Sequence, residues 1–126
     1  MAAGANTLPR EEILRGKTRI ARLMASGRWL ILPHLKVCWL HDGADGTGAA
    51  NRIVVSVPKK CFKRAVKRNL LKRRIREAYR TQKGLLPQGG TAILFVYTDR
   101  EPVAFDVIRD EVAAALGGIN AKLPQD

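Results

Sequence analysis

The sequence predicts a small α+β domain, a two-layer α-β sandwich in which helices pack on a short sheet. Three segments have helical periodicity, and three others have the length and apolar content of strands. They follow one another in the order helix, strand, strand, helix, strand, helix. The 126 residues suit one domain with a single core, and 46% hydrophobic residues is too high a share for a disordered basic chain.

The first helix is predicted over residues 17–26, with the sequence KTRIARLMAS. Ile20, Leu23 and Met24 stand at positions i, i+3 and i+4, which places them on one face of a helix. Gly27 follows directly and is a natural end for such a helix.

Three strands are predicted next. Residues 35–40 alternate between two faces: one holds Leu35, Val37 and Trp39, and the other holds Lys36, Cys38 and Leu40. Beyond a loop rich in Gly and Asp, residues 53–57 (IVVSV) form the second strand, which Pro58 ends. Residues 91–97 (TAILFVY) are apolar almost throughout, which indicates a strand buried on both sides.

The two remaining helices differ in character. A basic helix is predicted over about residues 64–81. The last helix is predicted over residues 103–116, and Gly117–Gly118 is expected to end it. Its apolar stripe consists of Phe105, Ile108, Val112, Ala115 and Leu116.

These elements set the expected limits of the domain. It is predicted to cover residues 17–118. Residues 1–16 are expected to form a flexible N-terminal arm, and residues 119–126 a C-terminal tail.

Positive charge is concentrated in residues 59–80, KKCFKRAVKRNLLKRRIREAYR. This segment holds eleven Lys and Arg and one acid, Glu77, whereas the rest of the chain holds twelve Lys and Arg and ten acids. Most of the formal charge of +12 therefore belongs to one segment, which predicts a local surface for a polyanion. Nucleic acid is favoured over an anionic membrane, because the basic segment has too few aliphatic residues to form the broad apolar face of a membrane-binding helix.

The basic helix separates into faces at about 100° per residue. A core-facing stripe is formed by Leu71, Ile75 and Ala78, and one flank carries Arg68, Asn69, Lys72 and Arg76. Like charges at i and i+4 repel each other by a few tenths of a kcal/mol, roughly, and a merely solvated helix would mix signs to avoid that cost. A phosphate-binding face is therefore favoured over a solvated one.

The segment 56–79, SVPKKCFKRAVKRNLLKRRIREAY, resembles the protein subunit of bacterial ribonuclease P. The signature of that family is S-V-x-K-K at the end of a strand, followed by a helix reading A-V-x-R-N-x-x-K-R-x-x-R-E. All of its fixed positions are present: Ser56, Val57, Lys59, Lys60, Ala65, Val66, Arg68, Asn69, Lys72, Arg73, Arg76 and Glu77. The resemblance extends over about residues 17–116.

The resemblance implies a fold like the second domain of ribosomal protein S5, with a left-handed βαβ crossover around the basic helix. It also implies that the chain is the non-catalytic subunit of an endoribonuclease that removes the 5′ leader of precursor tRNA. The RNA subunit would be catalytic and would hold most of the Mg²⁺, and the protein would raise the affinity for substrate and metal and broaden the substrate range. The implied partners are one catalytic RNA per protein and precursor tRNA, in the cytoplasm and away from membranes.

Site residues follow from the resemblance position by position. The implied RNA-binding residues are Lys59, Lys60, Lys63, Arg64, Lys67, Arg68, Asn69, Lys72, Arg73, Arg74, Arg76 and Arg80. The implied leader cleft consists of Ile20, Met24, Lys36, Cys38, Arg68, Asn69, Lys72 and Arg76. No catalytic residue and no metal ligand is implied on the protein. The chain departs from the family where aromatics are common, at Ile20, Met24 and Cys38, and where an arginine is common, at Leu70.

Two other functions stay open on the sequence. A structural ribosomal protein would also combine a small α+β domain with a basic helix. A protein-only nuclease is disfavoured, because the sequence shows no carboxylate cluster suited to metal-assisted hydrolysis. His34 and His41 are interpreted as surface or strand-edge residues rather than metal ligands or bases.

The tryptophans and cysteines complete the expectations. Trp39 is predicted to be a core residue, whereas Trp29 is either a packing residue or an exposed platform for stacking. Cys38 and Cys61 show no C-x-x-C pattern and are predicted to be reduced thiols. The N-terminus lacks the pattern of a secretory signal.

Overall fold

The fold is a four-stranded mixed sheet with helices on both faces, in a computed structural model that describes residues 8–9, 12–41, 50–87 and 89–123. The elements in chain order are α1 Lys17–Ser26, β1 Arg28–Ile31, β2 Leu35–His41, β3 Arg52–Ser56, α2 Ala65–Gln82, a 3-10 turn Lys83–Leu85, β4 Thr91–Tyr97 and α3 Phe105–Lys122. The predicted α+β class is confirmed, and the six predicted elements occur in the predicted order. One strand, β1, is added between α1 and β2.

Strand β1 was missed because nothing local marks it. It has four residues, RWLI, and three of their side chains are exposed. The strand forms by antiparallel pairing with β2, in a register that places Arg28 opposite Trp39 and Ile31 opposite Lys36. The hairpin is closed by the amide of Leu32, which donates to the carbonyl of Leu35 at 2.8 Å.

The strand order across the sheet is β1-β2-β4-β3. β2 pairs antiparallel with β1 and with β4, whereas β3 and β4 are parallel neighbours. Two parallel strands need a crossover between them, and α2 provides it. The left-handed sense of that crossover stays a prediction from the resemblance.

One face of the sheet carries the main core. The predicted alternation in β2 is confirmed, because Leu35, Val37 and Trp39 are all buried there. Side chains of β3 and β4 and of the helices α2 and α3 complete this core. The two long helices therefore lie side by side on this face.

The opposite face, called the second face below, is partly covered by α1. Leu23 of α1 packs with Leu14, Cys38 and Leu94 in a separate buried cluster. The predicted two-layer sandwich thus describes the main core, and α1 adds a partial third layer. Because α1 has only ten residues, it cannot cover the whole of this face.

The N-terminal limit of the domain requires a correction. Residues 12–14 were predicted to belong to a flexible arm, but they pack on the domain. The amide of Leu14 donates to the carbonyl of Ile53 at 2.8 Å, and Leu14 is buried. Glu12 is also buried and lies 3.0 Å from the Nζ of Lys83. Residues 1–7, 10 and 11 of the predicted arm lie outside the described residues.

The C-terminal limit also moves. Helix α3 runs through Gly117–Gly118 to Lys122, and Ile119 is fully buried in the main core. The predicted end at the glycines is wrong, because burial of Ile119 favours continuation of the helix and neither glycine has a positive φ. The predicted tail is therefore helical as far as Lys122, while residues 124–126 lie outside the described residues.

Other boundaries shift by one or two residues. β2 continues to His41, which pairs with Thr91, and β3 begins at Arg52, which pairs with Ala92. Helix α3 begins at Phe105, because the preceding residue has an extended backbone. Helix α2 begins and ends one residue later than predicted. Differences of one or two residues are ordinary at the ends of helices, which fray.

Two buried tyrosines differ in how their hydroxyl groups are satisfied. Tyr97 donates its hydroxyl to the carbonyl of Glu101, whereas the hydroxyl of Tyr79 has no partner in the described part of the chain. Burial raises the pKa of Tyr79 to about 12 and that of Tyr97 to about 12. A buried hydroxyl without a partner has lost its hydrogen bonds to water and gained none in the protein, which destabilises the folded state.

Replacing Tyr79 by phenylalanine is therefore expected to leave the free energy of unfolding unchanged or to raise it by about 1 kcal/mol. The ring and its packing remain, and the unsatisfied group is removed. The matched change Tyr97→Phe removes a hydrogen bond that is made, and it is expected to cost about 1 kcal/mol. Urea unfolding near neutral pH measures both, and equal losses would contradict the difference in hydrogen bonding.

Alkaline pH should enlarge the advantage of Tyr79→Phe. A folded-state pKa raised from 10.0 to about 12 means that the folded state resists ionisation of Tyr79. The stability that neutral Tyr79 gives the folded state is fully present below the pKa of the unfolded state, 10.0. It is lost as the pH rises from there through the folded-state pKa of about 12. At about pH 11 this group lowers the free energy of unfolding by about 1 kcal/mol, a loss that the phenylalanine variant avoids.

Candidate nucleic-acid interface

Helix α2 is held on the sheet by one apolar stripe. Leu71, Ile75, Ala78 and Tyr79 are fully buried in the main core. The first three are the predicted stripe, which is confirmed, and Tyr79 widens it. The rest of the helix surface is left for the charged residues of the sequence.

One contact shows which flank of α2 faces α3. Arg74 donates from Nη1 to the carbonyl of Val103, 2.8 Å away, just before α3 begins. At about 100° per residue, the opposite flank faces away from α3. That flank lies toward β3, the edge strand of the sheet that α2 contacts. It is called the basic flank below and consists of Arg68, Asn69, Lys72 and Arg76.

Most of the positive charge in residues 59–80 has no partner among the residues that the structure describes. Arg80 pairs with Glu77 at 2.6 Å, and this guanidinium holds the pKa of Glu77 below its usual range. Arg68 and Arg74 donate to backbone carbonyls. The remaining eight basic side chains of this segment make no hydrogen bond or ion pair with any residue that the structure describes. They are Lys59, Lys60, Lys63, Arg64, Lys67, Lys72, Arg73 and Arg76.

Arg68 has a structural task within the basic flank. Its Nη1 donates to the carbonyls of Phe62 and Lys63, each at 2.8 Å. These bonds join the first turn of α2 to the segment that precedes it. Arg68 therefore shapes the interface, and its guanidinium is less available to a ligand than the side chains of Lys72 and Arg76.

A row of four side chains crosses the second face at the end where β3 stops. The strand register places Ile31 beside Lys36, Lys36 beside Val96, and Val96 beside Ser56. Strand alternation turns all four to the second face, and none of them is buried. This row is called the open strip below.

The strip leads into the basic segment. β3 ends at Ser56, and the exposed Lys59 and Lys60 follow within a few residues. The intervening turn packs on the sheet, because the ring of Phe62 lies 5.8 Å from the ring of Tyr97. A ligand on the strip would therefore meet the basic segment at the β3 edge.

Helix α1 borders the strip with two predicted cleft residues. Leu23 faces the sheet, and helical geometry places Ile20 and Met24 to one side of it. The other side carries Arg19 and Arg22, which point to a cavity at the far end of the sheet. Ile20 and Met24 therefore lie toward the open strip, and Met24 is 51% exposed.

The far cavity was not anticipated from the sequence. It has a volume of about 210 Å³, and its lining combines three arginines with an apolar floor. Two of the arginines come from α1 and the third from β3, so no local pattern brings them together. The charged residues are Arg19, Arg22 and Arg52, and the floor includes Leu14, Leu23, Leu40 and Ala92.

The expected cleft contact at Cys38 is wrong. Its side chain is fully buried beneath α1, where Sγ donates to the carbonyl of Leu23 at 3.3 Å. Burial also raises the pKa of the Cys38 thiol, so it is kept neutral. A side chain enclosed in this way does not contact a ligand on the sheet. Both cysteines are free thiols, as predicted.

The predicted cleft residues thus divide into three groups. Lys36 belongs to the open strip, Ile20 and Met24 border it, and the four residues of the basic flank lie on α2. Cys38 alone is removed from the surface. The roles of the exposed residues in binding RNA stay predictions.

Comparison with known proteins decides the family. The family model described as Ribonuclease P matches residues 8–120. The chain belongs to the ribonuclease P protein family. The alternative of a structural ribosomal protein is thereby set aside.

Curated relatives agree with this assignment. The ribonuclease P protein component of Porphyromonas gingivalis is 35% identical over 108 residues, which cover 83% of this chain and 73% of the relative. That of Chlorobium phaeobacteroides is 30% identical over 129 aligned positions, covering 90% of this chain and 88% of the relative.

Solved structures agree as well. The RNase P protein from Thermotoga maritima superimposes with a TM-score of 0.71 at 26% identity, covering 85% of this chain and 96% of that one. A Staphylococcus aureus RNase P protein superimposes with a TM-score of 0.70 at 20% identity, which supports the fold alone; it covers 88% of this chain and 95% of that one. The fold is therefore that of ribonuclease P proteins, and the motif on the basic helix is a motif of this family.

The described part of this ribonuclease P family chain offers no evident metal centre. No group of three or more His, Cys, Asp or Glu side chains in those ranges is placed to hold a metal ion. Among the same residues, no helix has the length and apolar content needed to cross a bilayer.

Proposed function

We propose that this chain is the RNA-binding, non-catalytic subunit of ribonuclease P and that it holds the 5′ leader of precursor tRNA while a catalytic RNA cleaves it. The partner RNA follows from membership of the family of ribonuclease P protein components. The substrate and the division of labour are the further steps of the proposal. One protein acts with one RNA.

The observation that carries this proposal is the unpaired positive charge of α2. Lys72 and Arg76 extend from the basic flank with no partner among the described residues. A chain that keeps like charges at i and i+4 bears their repulsion unless a polyanion relieves it. Phosphate groups of RNA relieve it and release bound counterions, which makes the affinity depend on salt.

The open strip gives the leader a path. None of its four side chains is buried, it lies beside the basic segment, and each of the four strands contributes one of its residues. A single strand has unpaired bases and a flexible backbone, and it fits a groove with a charged margin better than a rigid duplex does. The leader would therefore run between α1 and the start of α2.

Catalysis is assigned to the RNA partner. In the proposal, the RNA holds most of the Mg²⁺ that the cleavage requires, and the protein contributes affinity for the substrate. The residues of this chain bind and orient the leader, and none of them is assigned a chemical step. The protein raises the affinity for metal indirectly, by stabilising the complex in which the RNA binds it.

A reconstitution assay tests this division of labour. The purified chain, a bacterial ribonuclease P RNA and a precursor tRNA are combined at low magnesium, with each component also omitted in turn. The expected result is no cleavage by the protein alone and faster 5′ cleavage when the protein is added to the RNA. Cleavage by the protein alone, or no stimulation of a folded RNA, would refute the proposal.

A further inference from the structure

The edge of the sheet formed by β1 carries an unusual group of exposed apolar side chains. Ile31 is 77% exposed, Met24 is 51% exposed, and Trp29 is 39% exposed. Trp29 pairs with Cys38 and Ile31 pairs with Lys36, so both point to the second face of the sheet. Met24 lies on the side of α1 that borders the same region. The three residues therefore form one apolar edge at the β1 end of the open strip.

A lysine is held against the aromatic member of this edge. The Nζ of Lys36 lies 5.2 Å from the ring centroid of Trp29, within the range of a cation–π contact. Lys36 is itself part of the open strip. The ammonium group of Lys36 thus lies over the ring of Trp29 where the strip reaches β1.

This pairing suits one nucleotide of a single strand. A nucleobase stacks on an aromatic ring whatever its sequence, and an ammonium group neutralises the adjacent phosphate. An exposed apolar patch by itself also suits a protein partner. RNA is favoured here because the patch contains a lysine and because the strip continues to the basic segment, where most of the formal charge of +12 resides.

We infer that Trp29 is a stacking platform for a base of single-stranded RNA, with Lys36 on the neighbouring phosphate, at the β1 end of the strip. The inference rests on the proposed function, because it extends the path of the leader from the basic flank to the opposite edge of the sheet. It also supplies an aromatic group on a face where the first helix has only Ile20 and Met24. Of the two expectations for Trp29, packing and stacking, the inference takes stacking.

Binding of a short single-stranded oligoadenylate, without the catalytic RNA, is the test. Trp29→Ala is expected to weaken its binding by about 5- to 160-fold, the range for loss of one base–aromatic stack. Trp29→Phe keeps an aromatic face, so its loss of binding free energy should be less than half of the loss in Trp29→Ala. Leu85→Ala is the matched control, because Leu85 is 49% exposed and lies on the 3-10 turn after α2. It should bind like the unchanged protein.

Fluorescence provides a second readout. The chain has two tryptophans, and Trp39 is only 4% exposed. Oligoadenylate should therefore quench the emission of Trp29, and the quenching should disappear in Trp29→Ala. Duplex RNA, whose bases are already stacked, should quench much less.

The outcomes separate this inference from the proposed function. Unchanged affinity of Trp29→Ala for oligoadenylate would overturn the stacking platform. If the double alanine variant of Lys72 and Arg76 bound weakly in the same experiment, the leader-binding proposal would remain in place. That result would leave a protein partner as the alternative occupant of the apolar edge. Loss of stimulation in the reconstitution assay, with oligoadenylate still stacked on Trp29, would instead overturn the proposed function.

Discussion

Replacing Lys72 and Arg76 together by alanine is expected to weaken the binding of single-stranded leader RNA by about a hundredfold at low salt. Each side chain lies on the basic flank without a partner among the described residues, so each is free to form a charge-assisted contact with phosphate. Such a contact contributes at least about 1.5 kcal/mol, or roughly tenfold in affinity. Titration of a fluorescent precursor tRNA at several salt concentrations measures the change.

The salt dependence identifies the mechanism. Loss of two phosphate contacts to a single strand should reduce the magnitude of the negative slope of log K against log salt by about 1.4. The matched control removes two positive charges from α3 instead, by Arg109→Ala with Lys122→Ala. This variant has the same formal charge but should keep most of the affinity and the slope. Equal losses in the two variants would mean that only the net charge matters, which would contradict a localised site.

The substrate used in this experiment also matters. The variant of Lys72 and Arg76 should lose more affinity for precursor tRNA than for mature tRNA, because only the precursor has a leader. Equal losses on both would mean that the basic flank contacts the tRNA body. Arg68 is left unchanged, because its alanine variant would also break the bonds to Phe62 and Lys63 and so mix folding with binding.

Replacing Gly27 by alanine is expected to lower the free energy of unfolding by about 3 kcal/mol, at the upper end of ordinary overpacking. A Cβ atom at this position would lie 2.5 Å from the carbonyl oxygen of Leu23, 2.6 Å from the Sγ of Cys38 and 2.9 Å from the carbonyl oxygen of Trp39. Two of these three neighbours are backbone atoms, so a change of rotamer does not relieve the overlap. Urea unfolding measures the loss.

Gly117 provides the control for this prediction. It lies within α3, is exposed, and a Cβ there would meet nothing within 4 Å. Gly117→Ala should raise the free energy of unfolding by about 0.5–1 kcal/mol, because alanine favours the helix. If Gly27→Ala were as well tolerated as Gly117→Ala, the close approach of α1 to β2 would be contradicted. Damage to α1 should also weaken leader binding, since Ile20 and Met24 border the open strip.

The two glycine sites show where sequence patterns mislead. Both were interpreted as the ends of helices, and this is right for Gly27 and wrong for Gly117. The difference lies in what surrounds the residue after folding. Gly27 stands where α1 meets β2, whereas the helix at Gly117 continues because Ile119 finds a place in the main core.

The basic helix was predictable in detail from the sequence. Its apolar stripe of Leu71, Ile75 and Ala78 is buried as expected, and its limits differ from the prediction by one residue. The motif in residues 56–79 also indicated the family that the comparisons then established. These properties are local, because helical periodicity, charge density and motif spacing are contained within one continuous segment.

What the sequence alone determined is therefore the identity and order of the three helices and of every strand except β1, together with the family and the charged face of α2. Only the tertiary structure decided that Cys38 is enclosed, that Arg68 supports the turn before α2, and that Trp29 stands beside Lys36. Each of these depends on how α1 and β1 lie against β2 or on how α2 meets the preceding turn. The physical reason is that burial and pairing arise from contacts between segments, and no local pattern specifies which segments will meet.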